Sequence, residues 1–219
     1  MRLLLVAMSL ALSLHGGARA QTDQDQLVAG AAQTLRAFIA DPQMVWLNEH
    51  LGQARAVLIA PQIVKAGFVI GGSGGHAVLI VRDHASGRWV GPAFYTLATA
   101  SVGFQAGVAV SEVVMLVMTD KAVDRLLTTS FRLGGDIGIA AGPVGAGKQA
   151  NLSEDIVAFS RSKGAYGGLN VDGSALRVAD EWNAAYYGKA ASPVDILVRA
   201  NVRNPQAAAL LAVIERAGR

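Results

Sequence analysis

The sequence contains no cysteine, few aromatic residues and few charges. None of its 219 residues is a cysteine, aromatic residues make up 6% and charged residues 16%. Without cysteine the chain forms no disulfide and cannot carry the lipid anchor of a bacterial lipoprotein. Hydrophobic residues reach 52%, so a chain of this length can bury a large core and is not disordered over most of its length.

The first twenty residues have the order of a secretory signal peptide. Arg2 precedes an apolar run of twelve residues, 3–14, and the string HGGARA follows and ends at Ala20. Such a run is too short for a membrane-spanning helix, which needs roughly 20 residues. We therefore expect cleavage after Ala20 and a soluble, exported product in a periplasm or outside the cell.

The charge balance argues against a nucleic-acid partner. The full sequence has 19 basic and 16 acidic residues. Two of the basic residues, Arg2 and Arg19, would leave with the leader, so 17 would remain against the 16 acidic ones. A nearly neutral mature chain lacks the strong positive field that non-specific nucleic-acid binding requires.

Hydrophobic periodicity predicts helices near both ends of the mature chain. Residues 23–40 repeat apolar side chains at helical spacing, and residues 43–52 suggest a second, shorter helix. A further short helix opens at Asp120, another spans residues 180–188, and Ser192-Pro193 and Asn204-Pro205 start the closing helices.

The middle of the chain predicts antiparallel strands. Short apolar runs are separated by glycine-rich strings that we interpret as hairpin turns, among them residues 71–75 and the pair Asp172-Gly173. Residues 98–111 are apolar at every even position, which predicts a half-buried strand or two strands joined at a glycine. The run VVMLVM, residues 113–118, predicts a fully buried strand.

The expected fold class is α+β, with a glycine-rich antiparallel sheet system, barrel- or sandwich-like, and flanking N- and C-terminal helices. We divide the chain into a signal peptide (1–20), an N-terminal helical segment (21–53), a β-rich domain (54–188) and C-terminal helices packed on the same domain (189–219).

Two strings are similar to catalytic motifs but lack the context that the chemistry needs. GPVGAGK, residues 142–148, fits a phosphate-binding loop, yet Gln149 replaces the hydroxyl residue that binds magnesium and Pro143 removes a backbone donor. GGSGG, residues 71–75, satisfies G-x-S-x-G, yet a strand-like stretch follows Ser73 where the motif requires a helix. We expect no nucleotide site and retain a small serine hydrolase using Ser73 as a remote alternative.

The remaining titratable residues do not assemble a reactive site. The mature chain has three histidines, with no H-E-x-x-H motif and no carboxylate pair suited to acid–base catalysis: His50, His76 and His84. We expect no catalytic residue, no metal, no cofactor and no enzymatic activity.

Basic residues beside three turns are the candidates for binding. Together they predict a modest basic rim for the headgroups of anionic lipids: Lys65, Arg82, Arg88, Trp89, Arg161 and Lys163. The expected partner is an anionic phospholipid or membrane surface.

Five strings in register resemble the SYLF domain family, a lipid-binding domain of bacterial envelope proteins and eukaryotic membrane-trafficking proteins. They run from residue 54 to residue 188: ARAVLIAP, GRWVGPAFYTLATASVGFQAGV, GGDIGIAAGPVGAGKQA, AFSRSKGAYGGLNVDGS and NAAYYG. In this family the stretch from Gly142 to Gly145 looks like a turn signature, so Lys148 lies beside it by coincidence.

The resemblance implies a binding function. Eukaryotic members are associated with phosphoinositides and phosphatidic acid, and some with actin. Their lipid contacts are attributed largely to a basic amphipathic segment ahead of the domain. Here that segment, residues 23–40, has Arg36 as its basic residue and is flanked by acidic ones. We expect an exported, non-enzymatic lipid- or envelope-associated binding protein, or alternatively a scaffold acting through an envelope protein partner. Because export would separate it from the cytoskeleton, we expect no actin partner.

Overall fold

The computed structural model describes residues 21–67, 70–102, 107–145, 154–162, 165–166 and 173–218. These residues form the helices α1 (Asp23–Ile39), α2 (Val45–His50), α3 (Asp120–Leu126), α4 (Asp180–Tyr187) and α5 (Ala208–Ala217). A π-helical turn (Val194–Val198) and two 3₁₀ turns (Leu51–Gln53 and Pro205–Ala207) complete the helical part. Within this described part of the chain, no helix has the length and hydrophobicity needed to cross a membrane.

Local capping fixes the start of α1. The Thr22 hydroxyl accepts a hydrogen bond from the Asp25 amide at 3.2 Å, and the Asp25 carboxylate accepts one from the Thr22 amide at 3.1 Å. This reciprocal pair satisfies two of the backbone donors that a helix start leaves free. The predicted first helix is therefore confirmed.

One curled sheet forms the centre of the protein. Its strands among the described residues are β1 (Ala56–Gly67), β2 (Ile70–Arg82), β3 (Trp89–Val102), β4 (Gly107–Val117), β5 (Ser130–Arg132), β6 (Ile139–Ala141), β7 (Ile156–Ser162), β8 (Ala165–Tyr166) and β9 (Ala175–Val178). Their order is β5-β9-β3-β2-β1-β4-β7-β6, with β8 beside β7. All pairs are antiparallel except β6 with β7. The expected α+β fold class, a curled sheet with flanking helices, is confirmed.

Half of the sheet is buried on both faces. We call this the core half, and it comprises residues 56–60, 77–81, 93–97 and 113–117. Leu58 and Met115 face an inner core together with α3, whereas Val57 and Leu116 face an outer core under α1, α2, α4 and α5. Residues 113–117 are at most 1% exposed, which confirms the fully buried strand. Because both faces of each strand contact apolar residues, these runs are apolar at every position instead of alternating with polar residues.

The GGSGG string lies inside β2, so its interpretation as a turn is wrong. A register shift in β1 brings the Gln62 carbonyl oxygen close to β2. A Cβ on Gly75 would lie 2.2 Å from that oxygen. Glycine is required there because of a long-range backbone approach, not because the chain turns.

Two other local predictions fail for long-range reasons. β9 pairs with β3 on one side and β5 on the other, so the hairpin predicted around Asp172-Gly173 does not form at residues 175–177; Asp172 itself lies outside the described residues. Residues 98–111 belong to two strands, β3 and β4, as the second alternative predicted, and these strands lie on either side of the β1–β2 pair; residues 103–106 lie outside the described residues. Burial of the even positions is wrong at Val108, which is 69% exposed.

Candidate functional site

The predicted binding residues that the structure describes do not form one surface. Lys65 of β1 pairs with Ser73 of β2, and Arg82 lies at the far end of the same β2 strand. The stretch from residue 73 to residue 82 spans roughly 30 Å in an extended strand. Arg88 and Trp89 stand beside Arg82 at that far end, whereas Lys163 lies outside the described residues.

Three of the predicted residues are held by internal contacts. The Arg82 guanidinium donates to the carbonyl oxygens of Gly87 and Gly52, at 3.1 and 2.6 Å, and so fastens the β2–β3 turn. Arg161 forms an ion pair with Glu112 and lies 5.1 Å over the Phe38 ring. The Trp89 side chain is only 6% exposed, because it packs in the outer core.

Beyond the core half, the four longest strands continue into a part that we call the sheet end, residues 64–67, 70–75, 98–102 and 107–110. On its helix-facing side, two cross-strand rows carry only apolar residues and glycine. One row is Ala98, Gly74, Val64 and Val110, and the next contains Gly72, Ala66 and Val108. We call this surface the sheet-end face.

The sheet-end face is exposed at Val64, Ala66, Ala98 and Val108. Val64 is 39% exposed and Val108 69%. A groove of about 570 Å³ separates its inner margin from α1 and is bordered by Leu27, Gly30 and Trp182. On the reverse side, Lys65, Ser73 and Thr99 form a polar row.

The other end of the sheet bears a second groove, which we call the arginine groove, of about 710 Å³. It lies between the β2–β3 turn, the residues that follow the π-helical turn, and α5. Its apolar wall includes Trp89, Val198 and Leu211. At its base Gly91 has φ +131°, and a Cβ there would lie 3.0 Å from the Leu79 carbonyl oxygen, so only glycine fits without strain.

The carboxylates in and beside this groove are already engaged. Asp83 accepts hydrogen bonds from the Ser86 amide and hydroxyl, at 2.7 and 2.5 Å, and the hydroxyl bond is the main cause of its lowered pKa. A Glu215 oxygen accepts from the Trp89 amide at 3.0 Å. Just outside the lining, Asp195 has its pKa lowered chiefly by the Ser192 hydroxyl.

Three guanidinium groups line the groove. Arg199 forms an ion pair with Asp195 at 2.8 Å. Arg88 and Arg203 are exposed, and neither guanidinium has a hydrogen bond or ion pair with any described residue. Ala200 has φ +50°, an uncommon conformation for a residue with a side chain, and reverses the chain between Arg199 and Arg203. Sequence reasoning named Arg88 but missed the two arginines that come from the C-terminal part.

The motif-like strings have structural explanations where they are described. A Cβ on Gly142 would lie 2.2 Å from the Phe159 ring, so this glycine lets an aromatic side chain pack against the backbone. Lys148 and Gln149 lie outside the described residues. Ser73 lies within β2, in strand rather than in a strand-to-helix turn. In the part of the chain that the structure describes, no three acidic or histidine side chains are grouped to hold a metal ion.

Comparison with known proteins supports the resemblance. Residues 98–217 match the family model Ysc84, described as "Las17-binding protein actin regulator". The chain is 29% identical over 197 residues to Protein YSC84 of Saccharomyces cerevisiae, covering 84% of this chain and 42% of that protein. It is 27% identical over 195 residues to human SH3 domain-containing YSC84-like protein 1, covering 84% and 56%. LAS seventeen-binding protein 3 of Saccharomyces cerevisiae is 30% identical over 170 residues, covering 72% and 37%. The chain thus spans about half the length of the curated relatives it matches.

These comparisons overturn one expectation. Actin was excluded as a partner, yet the matching family is described as an actin regulator, and a relative is named for binding Las17. The exclusion rested on the leader at residues 1–20, which concerns the compartment and not the chemistry of any surface. The match covers more than half of the chain, and the chain therefore belongs to the Ysc84 family, that is, to the SYLF domain family that its sequence resembles.

Proposed function

We propose that the chain is a non-enzymatic binding module that associates with anionic membranes through the sheet-end face. The observation that carries this proposal is the pair of cross-strand rows in which residues 64, 66, 98, 108 and 110 are all Val or Ala and stand beside glycines. Exposed apolar patches on folded proteins mark sites of protein or membrane interaction.

A bilayer is a better match to this face than a folded protein partner. The face is built of small side chains on a sheet, and its described residues include no charged group for a specific polar contact. Lys65, on the reverse side of the same strands, would lie near the headgroups when the sheet end touches the membrane. One basic residue near an anionic surface contributes about 1 kcal/mol, so apolar contact would supply most of the affinity.

Vesicle co-sedimentation tests the membrane contact. Val108→Asp places a carboxylate on the exposed face and is expected to weaken binding to phosphatidylglycerol-containing vesicles by about tenfold or more, because the charge resists transfer into the interface. Lys65→Glu is expected to reduce binding to these vesicles and to leave weak binding to pure phosphatidylcholine unchanged.

The matched control is Val45→Asp, which adds the same charge at a valine of α2 that is 38% exposed, close to the 39% of Val64. This variant should bind vesicles like the parent protein. If Val108→Asp bound vesicles as well as the parent protein, or if Val45→Asp lost as much vesicle binding as Val108→Asp, the sheet-end face would be ruled out as the contact.

A protein-contact function is the second candidate, and the family description favours it. The matching family is described by binding to Las17 and by actin regulation. If this chain works in the same way, pull-down with purified actin should recover it in the absence of lipid, and vesicles of any composition should not. The opposite pattern would favour the membrane.

We also propose export, with residues 1–20 as the leader. The protein recovered from a periplasmic fraction should then have the mass of a chain that begins at Gln21. Recovery of the protein in the cytoplasmic fraction with Met1 retained would contradict export, and it would leave the membrane proposal unaffected.

A further inference from the structure

The arginine groove combines an apolar wall with two arginines that have no ion-pair partner among the described residues, and this combination selects for a particular ligand chemistry. Its volume of about 710 Å³ is in the range of small-molecule sites. Val198, which is 55% exposed, and the partly exposed Leu211 provide apolar surface, and the largely buried Trp89 completes that wall. An exposed valine beside a tryptophan gains by contact with an apolar body.

The polar side of the groove favours an anion. Three arginines line the groove against two carboxylates, those of Asp83 and Glu215, so positive charge is in excess there. Ser86 and the Trp89 amide hold the two carboxylates in place by hydrogen bonds. Arg88 and Arg203 have no such partner among the described residues. Guanidinium groups bind phosphate and carboxylate through paired, charge-assisted hydrogen bonds.

We propose that the arginine groove binds one anionic amphiphile, whose phosphate or carboxylate contacts Arg88 and Arg203 and whose apolar part lies along Val198 and Leu211, beside Trp89. The groove lies at the opposite end of the sheet from the sheet-end face, roughly 30 Å away along β2. A lipid held there is therefore not part of the membrane that the sheet-end face would touch. The groove makes the protein a carrier or sensor of a single amphiphile, in addition to the proposed membrane association.

Titration with decyl phosphate below its micellar concentration tests the proposal. Calorimetry should show one bound molecule per chain, and the indole N–H resonance of Trp89 should shift while those of Trp46 and Trp182 do not. Octyl phosphate, with two methylenes fewer, should bind about tenfold more weakly because less apolar surface is buried.

Two further probes distinguish a site for an anionic amphiphile from a site for a free anion or for a neutral amphiphile. Inorganic phosphate tests the anion alone, and decyl maltoside tests a neutral amphiphile; both should bind at least about a hundredfold more weakly than decyl phosphate. If inorganic phosphate bound equally well, the site would be one for a free anion. If decyl maltoside bound equally well, the arginines would contribute nothing. Either result would overturn the proposal.

Single substitutions locate the site. Arg88→Ala and Arg203→Ala should each weaken decyl phosphate binding about tenfold, since each removes one charge-assisted contact. Both side chains are exposed and lack internal bonds to described residues, so the variants should melt like the parent protein. Arg125→Ala, an exposed arginine on α3 outside the groove, is the matched control and should bind normally.

The sheet-end variant Val108→Asp separates the two proposals. It should lose vesicle binding and keep decyl phosphate binding, whereas Arg203→Ala should do the reverse. Unchanged decyl phosphate affinity in both arginine variants would overturn the groove proposal and would leave the membrane proposal intact.

Discussion

The same four strands have opposite surroundings in the core half and in the sheet end. In the core half, Leu58, Val114 and Met115 are covered on both sides of the sheet. In the sheet end of the same strands, Val64 is 39% exposed and Val108 69%. Strand formation alone therefore does not determine burial, because burial depends on what packs against each face. We expect the core half to contribute most of the folding stability of these strands, and the sheet end to make the proposed membrane contact.

The largest expected effect distinguishes the two halves by their contribution to folding. Leu58→Ala should lower the free energy of unfolding by about 2–5 kcal/mol, because it leaves a cavity in the inner core at a residue that is 1% exposed. Val108→Ala should change it by less than about 0.5 kcal/mol, because the side chain is mostly in solvent. Urea denaturation measures both, and similar losses would contradict the division into two halves.

A smaller effect is expected where the two halves meet. Gly75→Ala should cost about 1–3 kcal/mol, because its Cβ would lie 2.2 Å from the Gln62 carbonyl oxygen and force the strands apart. Gly74→Ala is the matched control on the same strand, since its Cβ would lie at an ordinary 3.5 Å from the Leu97 carbonyl oxygen. Thermal unfolding compares the pair, and equal melting temperatures would mean that the approach of Gln62 is easily relaxed.

The smallest effect concerns Asp155, the residue just before β7 begins at Ile156. Its carboxylate accepts from the Thr119 hydroxyl at 2.7 Å and from Lys121 at 3.1 Å, and these bonds lower its pKa below the ordinary 3.8. A lowered folded-state pKa stabilises the protein above pH 3.8, and this contribution is lost as the pH falls through the folded-state value.

Asp155→Asn should therefore cost about 1 kcal/mol at neutral pH, after screening by solvent, and should make acid unfolding less steep. Asp124→Asn, at an exposed carboxylate on α3, is the control. Parallel stability–pH curves for the parent protein and Asp155→Asn would show that the bonds of Asp155 contribute nothing to acid sensitivity.

Features set by neighbouring residues were predictable from the sequence. The apolar spacing of α1, its Thr22 cap and the 3₁₀ turn that begins after Asn204 and leads into α5 depend on contacts within a few residues, and each is found where the local pattern predicts it. The buried strand at residues 113–117 was predictable because an unbroken apolar run requires two covered faces.

Features set by distant residues were not predictable in this way. Gly75 is glycine because of Gln62, and Gly142 because of Phe159, whereas a local interpretation assigned both to turns. The arginine groove joins Arg88 to Arg199 and Arg203, which follow it by more than a hundred residues. A weak indication of the groove was the string RANVRNP, residues 199–205, in which two arginines precede the helix start at Asn204-Pro205. The positive φ of Ala200 between these arginines is visible only in the structure.

Because α1 packs on α5, the outer core can be completed only after α5 has been synthesised. Val28 and Leu35 of the first helix share the outer core with Leu210 and Val213 of the last. During synthesis, β1 to β4 emerge long before α5 exists to complete that layer, so the outer side of the sheet remains uncovered in the nascent chain. Such a delay favours capture by holdase chaperones and slows folding, as expected for a topology rich in distant contacts.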